Sequence, residues 1–382
     1  MTKSRRRAPG IPAAVAAAAG AVAIAVGTWA SPDRPMPPPA RTDGHDAGWT
    51  AGAAVGAAPA DRDDPTPAAG AWHTGAGLPV ALAEIAGAVI DQAIYVGGGF
   101  TPPGGSVAAW FGRYDTADDA WAKLADLPVA VHHPMMAAAA GRVWLAGGYT
   151  GALNASTATR RLDAYDPAAN RWTAMPDMPG RRAAGFMVAL DGRLYVVGGI
   201  GDAEDRMWVY DVAAGSWSDA PGPTKREHLG AAVSGGRVYV VAGRGFGRGN
   251  TGVLEAYDPA AGTWARLPDM PGVCGGCSAA ATADGRIHVT GGEGGGRTYD
   301  DHFVYDPAAG AWSVAEPMPT ARHGIAAAAV GARFYVIGGG LKQGLDHSTL
   351  VEWWAPVAPG PLPDLTEAPP RLRVYLPHQG RE

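Results

Sequence analysis

Three markers recur in fixed order along the middle of the chain, and together they limit its fold more than any other feature. A short apolar run ends in a pair of small residues at Val96-Gly97-Gly98, Ala146-Gly147-Gly148, Val197-Gly198-Gly199, Val241-Ala242-Gly243, Thr290-Gly291-Gly292 and Ile337-Gly338-Gly339. A Tyr-Asp pair follows at Tyr114, Tyr165, Tyr210, Tyr257 and Tyr305, and the seventh residue after each tyrosine is a tryptophan: Trp121, Trp172, Trp217, Trp264 and Trp312. A repeat of roughly 50 residues implies a propeller or a solenoid. With 56 glycines and 33 prolines in 382 residues, long helices have no room, because these are the two poorest helix formers. The 13 tryptophans against 6 phenylalanines find their reason in the repeat.

Each unit decodes into four strands. The first is small and Ala-rich, as in Ala137 to Ala140 or Ala326 to Ala329. A tight turn such as Asp191-Gly192 or Gly235-Gly236 supplies the positive φ of a two-residue hairpin. The second strand is strongly β-forming and ends at the glycine pair. The third ends in Tyr-Asp, where Asp166-Pro167 suits positions i and i+1 of a type I turn, and the fourth carries the tryptophan. Small innermost strands fit a propeller, whose blades converge on an axis, and the aromatic residues fill the wider gaps between blades. The sixth unit lacks its last strand, whereas Ala69-Gly70-Ala71-Trp72 matches Ala309-Gly310-Ala311-Trp312 at the other end. The expected fold is therefore all-β: a six-bladed propeller of four-stranded antiparallel blades, closed by an N-terminal strand carrying Trp72 that completes the last blade. Closure removes the free sheet edges that invite aggregation.

Over about residues 71 to 356 this series of Gly-Gly, Tyr-Asp and Trp resembles the Kelch-repeat family of β-propellers, with Ala242 in place of one glycine and Trp354-Ala355 in place of the last Tyr-Asp. The resemblance implies a Kelch β-propeller. It leaves function open, since such folds host binding modules and enzymes alike.

Outside the repeats, residues 1–30 read as an export signal: Lys3, Arg5, Arg6 and Arg7 precede an uncharged Ala- and Val-rich stretch, with a small-x-small cleavage pattern before Ser31. An uncleaved membrane anchor is the alternative, and either places the rest of the chain in an extracytoplasmic space. Residues 31–70 read as a flexible Pro/Ala-rich linker and 357–382 as a Pro-rich tail. Net charge of −5 gives no global attraction to nucleic acid. A monomer is expected, touching a membrane only through the N-terminal segment.

Loops locate the candidate site. The Tyr-to-Trp turn is constant, whereas the segment between glycine pair and Tyr (or Trp354) varies from 10 to 16 residues. That face and the channel mouth are where specificity is expected. Just ahead of the innermost strands lie His132, His133, Arg182, Arg226, His228, Arg322 and His323, with Arg244 and His302 in the following loops. Arg182, Arg226 and Arg322 each precede their glycine pair by 16 residues, so three guanidinium groups are expected either to ring the channel as an anion site or to pair within the scaffold. Cys274 and Cys277, the only cysteines, read as a local disulfide in an exported protein. A zinc site needs two further ligands that nothing in the spacing requires, and no metal or other cofactor is expected.

These readings favour an exported binding module recognising a protein or glycan with its loop face. The alternative is a carbohydrate-active enzyme. Galactose-oxidase-like copper enzymes fit poorly because their adjacent Tyr-His pair is absent. The chain is similar to sialic-acid mutarotases in having Glu293 after a glycine pair and then Arg297-Thr298. That resemblance implies Glu293 as general acid/base and Arg297 as a carboxylate holder.

Overall fold

The computed structural model describes residues 69–357. The export signal or anchor, nearly all of the linker and the tail lie outside them. Among the described residues every element is a β-strand, and six antiparallel sheets each contain four main strands. The innermost strands are Ala86–Ile90, Met135–Ala139, Phe186–Leu190, Gly230–Ser234, Gly275–Ala281 and Ala326–Val330. Each neighbours the next, and the sixth returns to the first, so the sheets form a closed ring of blades. The innermost strands are less uniformly small than the Ala-rich repeats suggest: Met135, Met136, Phe186 and Met187 also line the axis.

Closure is made by Gly70–Thr74, which pairs antiparallel with Val351–Pro356 in the register Trp72 to Trp354. Trp72 then behaves as the other five repeat tryptophans do. Its indole Nε1 donates to Glu316 O at 2.9 Å, as Trp121 does to Ala76 O, Trp172 to Ala125 O, Trp217 to Pro176 O, Trp264 to Pro221 O and Trp312 to Pro268 O, all at 2.8–3.1 Å. Each outer strand is thus latched to the segment leaving the preceding blade. The tyrosine of each Tyr-Asp pair lies directly opposite its tryptophan in the ladder, as Tyr165 opposes Trp172. Their ring centroids are 4.9–5.2 Å apart in all five pairs. Tyr95, Tyr195 and Tyr239 of the second strands meet Tyr165, Tyr257 and Tyr305 of the next blade at 6.2 Å. Aromatic pairs at such separations add about 0.5–1.5 kcal/mol beyond their burial. At the turn, Asp166 Oδ1 accepts from the amides of Ala168 and Ala169, and Asp258 and Asp306 repeat the arrangement.

The glycine pairs are left-handed, and the structure corrects the phase of the first. Gly98 and Gly99 have φ of 75° and 89°, matching Gly147 and Gly148 at 61° and 94°, so the first pair is Gly98-Gly99 rather than Gly97-Gly98. The chain needs glycine there for space as well as for φ: a Cβ on Gly147 would stand 2.0 Å from Arg182 O.

Candidate functional site

A second set of left-handed residues sits where each blade enters its innermost strand: Glu84, His133, Ala184, His228, Gly276 and Gly324, with φ between 51° and 73°. Their backbones form a closed cycle. Each amide donates to the carbonyl of its neighbour: Glu84 to Gly324, His133 to Glu84, Ala184 to His133, His228 to Ala184, Gly276 to His228 and Gly324 to Gly276, at 2.7–3.1 Å. All six residues line one axial cavity of about 70 Å³. The left-handed turn aims each amide along the ring. Two blades meet that demand with glycine, which adopts positive φ at no steric cost. Three others use Glu84, His133 and His228, for which this conformation is strained.

Their side chains converge. His133 Nε2 is 3.0 Å from Glu84 Oε2, and the His133 and His228 rings lie edge to face at 4.6 Å. His323 Nε2 lies 3.6 Å from Glu84 Oε1 and 3.5 Å from Glu293 Oε2. Beyond these, His228 Nδ1 contacts the Glu227 carboxylate, and Arg244 bonds Glu293 and approaches Glu227 at 3.9 Å. The mouth therefore holds three carboxylates: Glu227 and Glu293 beside the Arg244 guanidinium, and Glu84 among the histidines. Burial works to raise the Glu84 carboxyl, but the facing His133, His228 and His323 outweigh it and hold the group well below the usual carboxylate range. Burial chiefly, helped by His133, pushes His228 well below the ordinary imidazole value. It takes His132 down to about 4 with the same neighbour's help.

The three arginines of the repeat do not ring the channel. Each is buried inside its blade. Arg226 pairs with Glu255 and donates to Val240 O and Thr224 O at 3.0 Å. Arg322 pairs with Glu352 and donates to Val336 O at 3.2 Å. Arg182 has no such acid; its guanidinium donates to Gly198 O, Asp202 O and Ala203 O and lies 4.2 Å over the Trp208 ring. These bonds hold the guanidinium groups against the second strand or, for Arg182, the glycine pair that ends it, and bury them away from the channel. His302 is likewise elsewhere, hydrogen-bonded to His288 at 2.9 Å among Trp72, Phe334 and Trp354 beside the closing blade. His132 stands behind His133. Arg297 leaves Glu293 and stacks 5.2 Å over the Tyr299 ring, so the two residues of the mutarotase comparison do not form one site. Cys274 and Cys277 are joined in a disulfide that brackets Gly276, the ring residue of the fifth blade.

Glu84 escaped the sequence reading. Counted from Gly98-Gly99, it occupies the slot of His133 and His228, and the shifted first pair hid that correspondence.

The loop face around the mouth exposes large apolar side chains. Leu153, Phe246, Val273, Leu341 and Leu345 are 42–59% exposed, and all belong to the segments after the glycine pairs or between blades.

Comparison with known proteins finds family models in this region. The KLHDC2/KLHL20/DRC7 Kelch-repeats domain matches residues 177–339, and the Kelch motif matches residues 136–179. Among curated relatives, the Kelch-like protein terF of Aspergillus terreus is 29% identical over 255 residues, covering 61% of this chain and 56% of its own length. Kelch-like protein 35 of Mus musculus is 27% identical over 213 residues, covering 55% of this chain and 34% of its own. The chain thus spans only about a third to just over half of these relatives. The solved structure of YjhT superposes with a TM-score of 0.63 at 17% identity, covering 72% of this chain and 95% of that one.

Proposed function

This chain belongs to the Kelch-repeat β-propeller family, and from that premise we propose that it is a protein-binding module acting outside the cytoplasm through the loop face around its channel mouth. One observation carries the reading. Five of the seven exposed large apolar side chains among the described residues, Leu153, Phe246, Val273, Leu341 and Leu345, stand on that single face, whereas the opposite face carries short, uniform hairpin turns. Apolar residues gathered on one side and rimmed by charge mark an interaction surface. The Cys274–Cys277 disulfide agrees with an oxidising compartment.

Electrostatics argue against the acidic-sugar alternative. A mouth lined by Glu84, Glu227 and Glu293, whose one arginine, Arg244, is already bonded to Glu293, and with Arg182, Arg226 and Arg322 committed inside the blades, disfavours a sugar carboxylate.

Panning a peptide display library and a glycan array against the purified propeller tests the proposal. Peptides sharing a consensus are expected, with binding lost in a Phe246→Ser/Leu345→Ser variant whose melting temperature is unchanged. Glycan hits without peptide hits, or peptide binding indifferent to those two substitutions, would overturn it.

A further inference from the structure

We infer that Glu84, His133 and His228 form a binding site for one divalent first-row transition-metal ion on the propeller axis. Their donor atoms all lie within 4.8 Å of one another. A bound ion of the zinc type, with bonds near 2.0–2.2 Å, sets donors about 3–4 Å apart, so modest side-chain rotation closes the site. Two imidazoles and a carboxylate are a borderline donor set that suits zinc and its neighbours rather than calcium or magnesium.

The tautomers give the argument its direction. His132 Nε2 faces Gly151 O at 2.6 Å, and a carbonyl can only accept, so this nitrogen carries the proton. In neutral His132, Nδ1 is then the acceptor, and it lies 2.6 Å from His133 Nδ1, which must donate. His133 therefore keeps its lone pair on Nε2, the atom that faces Glu84 Oε2 at 3.0 Å. A lone pair and a carboxylate oxygen repel at that distance unless a cation lies between them: a proton or a metal ion. His228 is oriented in the same way. Its Nδ1 lies against the Glu227 carboxylate, which puts an acceptor behind the ring on the side away from Glu84. A ligating imidazole characteristically has its second nitrogen bonded to a carboxylate, carbonyl or another acceptor; His133 has one in His132 Nδ1, and His228 has the Glu227 carboxylate beside it. His323 lies beside the cluster, but its ring nitrogens face Gly340 O and Gly344 O at 3.2 and 3.0 Å, which makes it wall rather than ligand.

Backbone conformation brings the donors together. The left-handed slot is filled by glycine in two blades and by Ala184 in a third, while the remaining three carry Glu84, His133 and His228 at φ of 51–55°, which turns their side chains toward one another. The site does not depend on the protein-binding reading, since metal binding is measured without a partner.

Because two blades already use glycine in this slot, glycine substitution removes a donor without disturbing the ring. Chelator-treated protein would be titrated with ZnCl2 by calorimetry and with CoCl2 by visible absorption. One ion per chain is expected, with cobalt d–d bands. Glu84→Gly, His133→Gly and His228→Gly should each abolish stoichiometric binding, with the metal-free melting temperature holding or rising in the two histidine variants. Glu227→Gln, which alters the group behind His228 and no ligand atom, should weaken binding about 10- to 100-fold. His73→Ala, an exposed histidine remote from the axis, should change nothing. Absence of stoichiometric zinc binding in the unaltered protein, or binding that survives in the three glycine variants, would overturn the inference.

Discussion

Replacing Glu255 with alanine should destabilise the propeller far more than an ordinary polar substitution. Arg226 is 1% exposed, and its guanidinium meets the Glu255 carboxylate through Nη1. That carboxylate also accepts from Thr224 N at 3.1 Å and Thr224 Oγ1 at 2.7 Å. Without Glu255, the buried cation keeps only the carbonyls of Thr224 and Val240. Removing one partner of such a pair leaves an uncompensated charge and costs about 3–5 kcal/mol. Against a typical domain stability of about 5–15 kcal/mol, that loss is large. Urea unfolding followed by tryptophan fluorescence measures it as a lowered midpoint at unchanged slope. A double variant, Arg226→Met/Glu255→Leu, removes both charges and should recover most of the loss, as buried pairs replaced by apolar residues often do. A cost below about 1 kcal/mol for Glu255→Ala would refute the reasoning. It would show that the fourth blade can fall back on the carbonyl cage that Arg182 uses in the third.

Acid should loosen the molecule through its buried histidines. Burial chiefly holds His132, His288 and His302 at about 4, 3 and 4, against about 6.5 when unfolded. Between those values the unfolded chain binds protons that the native state refuses. Stability is therefore full above about pH 6.5 and falls by up to about 1.4 kcal/mol per pH unit per histidine on acidification; a urea midpoint that stays level from pH 7 to pH 5 would contradict this. Trp72→Phe, which keeps an aromatic ring but deletes the bond to Glu316 O, should cost about 1 kcal/mol by the same unfolding assay. The equivalent change at Trp172 should cost a similar amount, because it makes the same latch.

The scaffold was legible in the sequence because its causes are local and repeated. The Asp-turn, the Tyr opposite Trp and the left-handed glycines each leave a residue type at a fixed offset, so Trp72 could be matched to Trp312 before any coordinates. The site was less legible, because convergence on an axis is radial and leaves no spacing to count. Arg182, Arg226 and Arg322 shared an offset, which marked them as repeated, and repetition here meant scaffold: the acids that hold two of them, Glu255 and Glu352, come from the third strands of their own blades. Glu84 carries the opposite lesson. It sits in a slot that differs from blade to blade, so no repeat announced it, and the additional glycine at Gly97-Gly98-Gly99 moved the first blade one residue out of phase. Glu293 and Arg297 show the remaining difficulty, since four residues apart across a tight hairpin is enough to send two side chains to different neighbours.

Ring closure is the claim on which the axial cluster and the loop face both rest, and it has a direct chemical test. Ala71 lies opposite Ala355 in the closing pair. In an Ala71→Cys/Ala355→Cys variant, mild oxidation should join these distant residues within one molecule, giving a species of altered mobility on a non-reducing gel that reverts on reduction. Failure to cross-link, or cross-links formed only between molecules, would contradict the closed propeller.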